Sequence, residues 1–407
     1  MINCHTLSKR GLALMLGLFG VSCITMADRI PSLAEFFAED FLIGTALAGG
    51  TNKGDPLGNH RKERAIIERE FNVLTAENCM KPMYMRPAPG EFYFESTDLF
   101  MEFAQENEME VVGHTLVWHH QTPSWFFSDS EGNQLDREAL IERMRHHIHT
   151  IVGRYKGKIL YWDVVNEVVD IKPIPEAEQL VDDSGKRVTH QAVLRDSKWL
   201  EIIGPDYIEL AYKFAHEADP ETRLLYNDFS LTDPIKVDFV AMMVRHLKSK
   251  GIPIHGVGLQ AHWHTGHPTL AEIAYAIDTL AATGVQISLT ELDMSVLPVA
   301  QEHAGADLSD LKEYVDELNP YVEHVPDQIL QLQADRFVQI FKLLLDRREV
   351  VERVTFWGVA DGHSWKNFYP VAGRTDYPLL YDRSYQPKPA YHSIKELKAH
   401  HEYVHTH

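Results

Sequence analysis

Eight short runs rich in β-branched and aromatic residues recur along the chain, each followed by a stretch long enough for a helix. They predict strands near 41–48, 72–77, 110–118, 161–168, 223–229, 256–263, 286–293 and 353–359. Several stay apolar until their last residues, as parallel strands do when both faces of the sheet are covered. Between them the spacing turns helical. Leu330, Ala334, Phe337, Phe341 and Leu344 share one face over 327–347, and Leu99 and Phe103 do so over 96–107, behind a Ser/Thr/Asp start. Eight such β-then-α units argue for a closed barrel rather than an open sheet, so the expected fold is α/β, a single (β/α)8 TIM barrel. A chain of 407 residues is long for one domain, but barrels of this kind routinely exceed ~250 residues as one unit. No linker and no internal repeat divides it. Two longer connections, 170–197 and 297–326, follow strand ends and are expected on the face that carries the site.

That face is where polarity concentrates. Glu77, Asn78 and Lys81 follow the second run, and His114, Trp118, His119 and Gln121 lie along or just past the third. The fourth ends in Asn166-Glu167, the fifth in Asn227-Asp228, and the sixth in Gln260-Ala261-His262. The seventh gives Glu291-Leu292-Asp293, and the eighth gives Trp357, followed by Asp361, His363 and Trp365. Polar groups at buried strand ends are costly unless paired or used. Glu167 and Glu291 each close an apolar run. Such a carboxyl pair suits glycoside hydrolysis, where one carboxyl holds a proton for the leaving oxygen and the other attacks as the anion. Glu167 is therefore read as acid/base and Glu291 as nucleophile. Asn166 supplies an amide for a sugar 2-hydroxyl. A neutral His262 is expected to donate to Glu291, with Asp293 orienting its other ring nitrogen. Trp118, Trp357 and Trp365 offer flat faces for stacking on pyranose rings. A metal nest built from His114, His119, His262, His264 and Asp293 is the rival reading. It is disfavoured because His119 and His120, adjacent on a strand, would point to opposite faces. No metal and no cofactor are expected.

The formal net charge of −20 disfavours a nucleic-acid partner, which needs a basic footprint. Lys9 and Arg10 precede an apolar run ending at Thr25-Met26-Ala27, so residues 1–27 are read as a secretion signal. That assigns 28–400 to the barrel and 401–407 to a tail, with export to the periplasm or the medium and no membrane span. Modification of Cys23 as a lipoprotein anchor is the alternative. Of Cys4, Cys23 and Cys79, only Cys79 lies beyond the signal, where it reads as a small core filler without a disulfide partner.

The chain resembles glycoside hydrolase family 10, the (β/α)8 endo-β-1,4-xylanases. The blocks that carry the likeness run in order: TAENCMKP at 75–82, GHTLVWHHQTPSW at 113–125, WDVVNEV at 162–168, LRDSKW at 194–199 and LYNDF at 225–229. They continue with GVGLQAHW at 256–263, SLTELDM at 288–294, TFWGVADGHSW at 355–365 and PLLYDRSYQPKPAY at 378–391. The resemblance implies retaining hydrolysis of internal β-1,4-xylosidic bonds through a covalent glycosyl-enzyme. It implies xylan and xylooligosaccharides as partners, and a monomer. It further implies that Glu77, Asn78, Lys81, His114, Trp118, Gln121, Asn166, Gln260, His262, Trp357 and Trp365 line the glycone side, with Tyr207 on the aglycone side. The chain departs from the family pattern at 170–189, at Asp361-Gly362-His363, and at Lys366, where many members carry Arg or Leu.

Overall fold

The computed structural model describes residues 30–47, 61–181, 185–298 and 316–405. The leader at 1–27 with Cys23, and most of the connection 297–326, lie outside the described residues. The barrel belongs to the unit Ser32–His407. Its strands are β1 (Leu42–Leu47), β2 (Val73–Ala76), β3 (Glu110–Trp118), β4 (Tyr161–Asn166), β5 (Arg223–Asp228), β6 (Gly256–Leu259), β7 (Gln286–Ser295) and β8 (Val351–Phe356). Each falls on one of the eight predicted runs. Neighbours in sequence are neighbours in space, every pair is parallel, and β8 bonds to both β7 and β1, so the sheet closes. Closure buries both faces of each strand, which is why the runs read as nearly continuous apolar segments.

Helices cover the outside, and their inward stripes are the apolar positions of the 3.6-residue period. The helix Asp327–Leu345 buries Ala334, Phe337, Ile340, Phe341 and Leu344. Phe337 and Phe341 bring their rings within 6.2 and 6.3 Å of Phe356 on β8. The helix Glu95–Glu106 is set differently from the expectation. Phe100 and Phe103 point inward while Leu99 is 41% exposed. Ser96 and Thr97 do not cap this helix; they are buried in its first turn, and the Thr97 hydroxyl donates to the Cys79 carbonyl at 2.9 Å. Cys79 is the buried filler its neighbours suggested, its thiol pushed up to about 12 by burial and unreactive as a nucleophile. Gly113 on β3 answers a packing need, since a Cβ there would lie 2.2 Å from the ring of the fully buried Trp162 on β4.

The connection at 170–197 is not a loop. Val169–Pro173 and His190–Leu194 pair as an antiparallel hairpin that packs on the helix Pro234–Ser249. It leaves the barrel directly after Glu167-Val168 and returns at Arg195, whose Nε donates to the Glu167 carbonyl at 3.0 Å. A short strand His262–His264 pairs in parallel with Asp293–Ser295 and extends the barrel wall above β6 and β7. The closing helix Pro389–His405 crosses the boundary drawn at residue 400, so the stretch taken as a tail begins as helix. Among the described residues no helix is long and apolar enough to cross a membrane.

Candidate active site

Several strands hand their side chains to the site through residues with positive φ, among them Gln121 (46°), Glu167 (59°) and Ala261 (62°). Left-handed backbone at non-glycine positions is held by surrounding structure, and here it re-aims the chain where each strand ends. Glu167 leaves β4 this way, its N–H bonded to the Asn227 carbonyl of β5 at 2.9 Å.

Both glutamates are almost fully buried, Glu167 at 4% exposure and Glu291 at 5%. Their surroundings drive them apart. Glu167 accepts from Gln260 Nε2 on one oxygen and from Trp118 Nε1 on the other, both at 2.8 Å. Burial and the charge of Asp228 outweigh these donors, with Glu291 adding to the effect, and the carboxyl is pushed up to about 7. Glu291 lies in a bed of donors: Asn227 Nδ2 at 2.8 Å on one oxygen and His262 Nε2 at 3.2 Å on the other. Burial alone would raise it, but the His262 hydrogen bond and the nearby charge of His114 hold it below the usual carboxylate range. One carboxyl keeps its proton near neutrality and the other does not.

His262 differs from the expectation of a neutral ring. Its Nε2 faces Glu291 and its Nδ1 faces Asp293 Oδ2 at 3.0 Å, so both nitrogens meet carboxylate oxygens. A neutral imidazole can donate from only one nitrogen. Burial works against the charge, yet the two carboxylates prevail and raise the imidazole, which favours a proton on each nitrogen between Asp293 and Glu291. His114 Nδ1 likewise meets one carboxylate oxygen, Asp163 Oδ2, at 2.9 Å.

Beneath the pair runs an amide ladder. The Asn166 amide sits 3.0 Å from Asn227 Nδ2. With its oxygen turned to the Trp118 indole N–H at 3.2 Å, its nitrogen donates to the Asn227 carbonyl at 3.1 Å. Asn227 Oδ1 accepts from the Thr290 hydroxyl at 2.5 Å. Gly258 makes room for this ladder, because a Cβ there would come within 2.6 Å of Asn227 Oδ1 and 2.5 Å of Thr290 Cγ2.

A model of the family described as Glycosyl hydrolase family 10 matches residues 32–397. The chain belongs to this family. It is 42% identical over 377 residues to an endo-1,4-beta-xylanase of Geobacillus stearothermophilus, covering 91% of this chain and 100% of the relative. Against endo-1,4-beta-xylanase A of Xylanibacter ruminicola the identity is 39% over 382 residues, 94% of this chain and 97% of that one. A solved family 10 endoxylanase retrieved from a sugarcane soil metagenome superposes with a TM-score of 0.81 at 40% identity, covering 90% of this chain and 100% of that one. The protein is thus a glycoside hydrolase of family 10.

For a family 10 glycoside hydrolase the burial pattern sorts the remaining predicted residues. Glu77, Asn78 and Gln121 stay half-buried at the ends of β2 and β3. Lys81 is buried, with its ammonium 3.5 Å from Asn78 Oδ1 and 5.1 Å from the Trp118 ring centroid. Burial lowers its pKa, while Glu77, Glu291 and Glu167 act in the opposite sense, which places Lys81 among three carboxyls. Trp357 is buried with its ring edge-on to His114 at 5.5 Å. Trp365 stays half-exposed, its ring stacked on Tyr369 at 5.0 Å and its indole N–H donating to Asp293 Oδ2 at 2.7 Å. Trp118, expected as a stacking platform, is 4% exposed and its polar edge donates to the acid/base. Tyr207 does not fit the aglycone expectation. It is 3% exposed and packs behind Glu167 with Trp118, Trp199 and Arg195, with no ring face to offer a sugar. His119 and His120 follow the end of β3, and their rings do not diverge but lie 4.3 Å apart. Among the described residues no three His, Cys, Asp or Glu side chains converge as metal ligands. Asp361 is turned into the fold, where it accepts from the Leu379 N–H at 2.8 Å and pairs with Lys388 at 3.1 Å.

Four residues of the site had no assigned role in the sequence: Asn227, Asp163, Thr290 and Asp228. Asp163 carried the clearest signal, a charge in the middle of an apolar strand. Asp228 stands beside Glu167, because Asn166 and Asn227 are register partners on β4 and β5. It is fully buried and paired with Lys236 at 2.7 Å. Its negative charge is the strongest electrostatic influence raising Glu167. In Asp228→Asn that charge is gone, the Glu167 carboxylate becomes easier to form, and its pKa falls. The alkaline limb of the pH–rate profile is therefore expected to move to lower pH. Stability should drop by about 3 kcal/mol or more, because Lys236 is left buried without its counter-ion. Initial rates across pH and a urea melt check both effects; an unmoved alkaline limb would count against them.

Proposed function

We propose that the protein hydrolyses internal β-1,4-xylosidic bonds of xylan and xylooligosaccharides with retention of configuration. The observation that carries this reading is the opposed protonation of two buried glutamates, Glu167 near 7 and Glu291 below the ordinary carboxylate range. The relatives from Geobacillus stearothermophilus and Xylanibacter ruminicola are endo-1,4-beta-xylanases matched over nearly their whole length, which supports xylan as the polymer.

In the proposed reaction Glu167 gives its proton to the departing glycosidic oxygen. Each of its oxygens accepts one N–H, from Trp118 or Gln260, so the carboxyl plane is held and a second lone-pair site remains for the acid proton. Glu291 Oε attacks the anomeric carbon and forms an ester, while the N–H groups of Asn227 and His262 hold its other lone pairs in place. Once Glu291 is esterified its charge is lost, Glu167 binds its proton less tightly, and it can act as base toward water. Attack by that water regenerates the original anomer.

The expected pH profile is a bell. Activity falls as pH rises through about 7, where Glu167 loses its proton. It falls on the acid side as Glu291 is protonated. A proton NMR time course on xylohexaose tests the reading, and β-anomeric products from internal cleavage are expected first. Early α-anomer would end the retaining mechanism, and release of xylose alone from one chain end would end the endo assignment.

A further inference from the structure

We propose that Lys366 is a positioning residue for the nucleophile, acting through Asp293 and His262. This rests on Glu291 being the nucleophile. Lys366 follows β8 in the short turn Trp365–Asn367, where its backbone N–H donates to Ser364 Oγ at 3.2 Å. Only 7% of the residue is exposed. Its ammonium lies 3.7 Å from Asp293 Oδ1 and 4.7 Å from the Trp365 ring centroid.

Asp293 is divided between its two oxygens. Oδ2 accepts from both His262 Nδ1 at 3.0 Å and Trp365 Nε1 at 2.7 Å. Among the described residues Oδ1 accepts no hydrogen bond, and the charge facing it is Lys366. A fully buried carboxylate with one bare oxygen is costly unless a cation compensates it. The other groups around it leave the Oδ1 side to Lys366. His264 lies among Lys366, Arg374, Asp293 and His267, and burial together with the two cations lowers it to about 4, so it is neutral across the working range. Arg374 is directed to Asp376 and donates to the Tyr369 carbonyl at 3.2 Å. His262 is the larger opposing influence on Asp293, but it reaches only Oδ2 through Nδ1 at 3.0 Å, while its Nε2 faces Glu291 at 3.2 Å, which leaves Lys366 as the cation on the Oδ1 side.

Lys366 therefore adds to His262 in keeping Asp293 ionised and fixes the oxygen that His262 does not reach. A fixed, ionised Asp293 holds the Nδ1–H of His262, and that hold aims Nε2–H at Glu291. Without the ammonium, Asp293 takes up a proton more readily and the ring loses its anchor. The donor on Glu291 then loosens, and the pKa of Glu291 rises. The same cation sits against Trp365, so one side chain ties the aromatic wall of the cleft to the charge state of the nucleophile.

The test uses the full-length enzyme with Lys366→Met, which keeps the stem and drops the charge, and Lys366→Arg, which keeps the charge. In Lys366→Met the acid limb of kcat/KM is expected to move up by ~0.5 to ~1 pH unit, with kcat reduced more than KM is raised. Lys366→Arg should return the limb toward the wild-type position. A 13C-carboxyl titration of glutamate-labelled protein follows Glu291 directly and should show the same upward shift in Lys366→Met. That titration is independent of substrate, so a wild-type protein inactive on xylan would sink the functional reading while the relay is still tested. An acid limb and a Glu291 titration unchanged in folded Lys366→Met would overturn the proposal. Failure of Lys366→Arg to restore either one would overturn it too.

Discussion

Glu291→Gly is expected to lower xylan turnover by on the order of 10⁵-fold, and azide is expected to restore cleavage of an activated aryl xylobioside. The loss is large because Glu291 alone offers an oxygen to the anomeric carbon in the proposed reaction. Its supports cannot replace it: Asn227 Nδ2 and His262 Nε2 are donors, and both face the carboxylate they hold. Truncation leaves a small space lined by those donors, which is a setting that attracts an anion. Azide bound there attacks from the nucleophile's face, and no second displacement follows. The product should be the α-glycosyl azide, inverted relative to the substrate and visible by proton NMR. The β-azide, or native-level activity without azide, would show that another group attacks the sugar.

The architecture was legible because a closed parallel barrel imposes one pattern on all its strands: apolar on both faces, then polar where the strand ends. All eight runs became strands for that reason, and Glu167 and Glu291 stood out as carboxyls placed where burial is otherwise costly. What escaped were relations between strands. That the Trp118 indole N–H reaches Glu167 depends on how far β3 is staggered against β4, and residue identity is silent on stagger. Asn227 looked like another polar strand end until register placed it beside Asn166 and below Glu291. His262 was read as neutral because a sequence names its neighbours without saying that both ring nitrogens point at acids. Tyr207 was assigned by resemblance alone, and nothing in its local pattern announced that it would lie beneath Glu167. Leu99 and Phe100 differ by one helical position, and that step of about 100° decides which faces the core. The hairpin between β4 and β5 was hidden because Asp170 to Leu194 mixes charges, prolines and short apolar pairs without a clean alternation.

Glu167→Ala should separate substrates by their leaving groups. Xylan has a sugar alkoxide to expel, which needs the proton Glu167 supplies, and its turnover should fall by ~10³-fold or more. A dinitrophenyl xylobioside leaves without that proton, so its first step should survive while hydrolysis of the glycosyl-enzyme slows for want of a base. A pre-steady-state burst of dinitrophenolate is the signature. Because the limb near 7 belongs to the Glu167 carboxyl, the variant should also lose its alkaline decline: rates with the activated substrate should stay level as pH rises from 6 to 8. Azide should again accelerate turnover, now by intercepting the ester on Glu291, and the azide product should be β. The opposite anomers from the two alanine-or-glycine variants would assign the roles uniquely, since exchanging acid and nucleophile would exchange the products. Equal slowing of xylan and the dinitrophenyl glycoside, without a burst, would mean that Glu167 holds the substrate and does not transfer the proton.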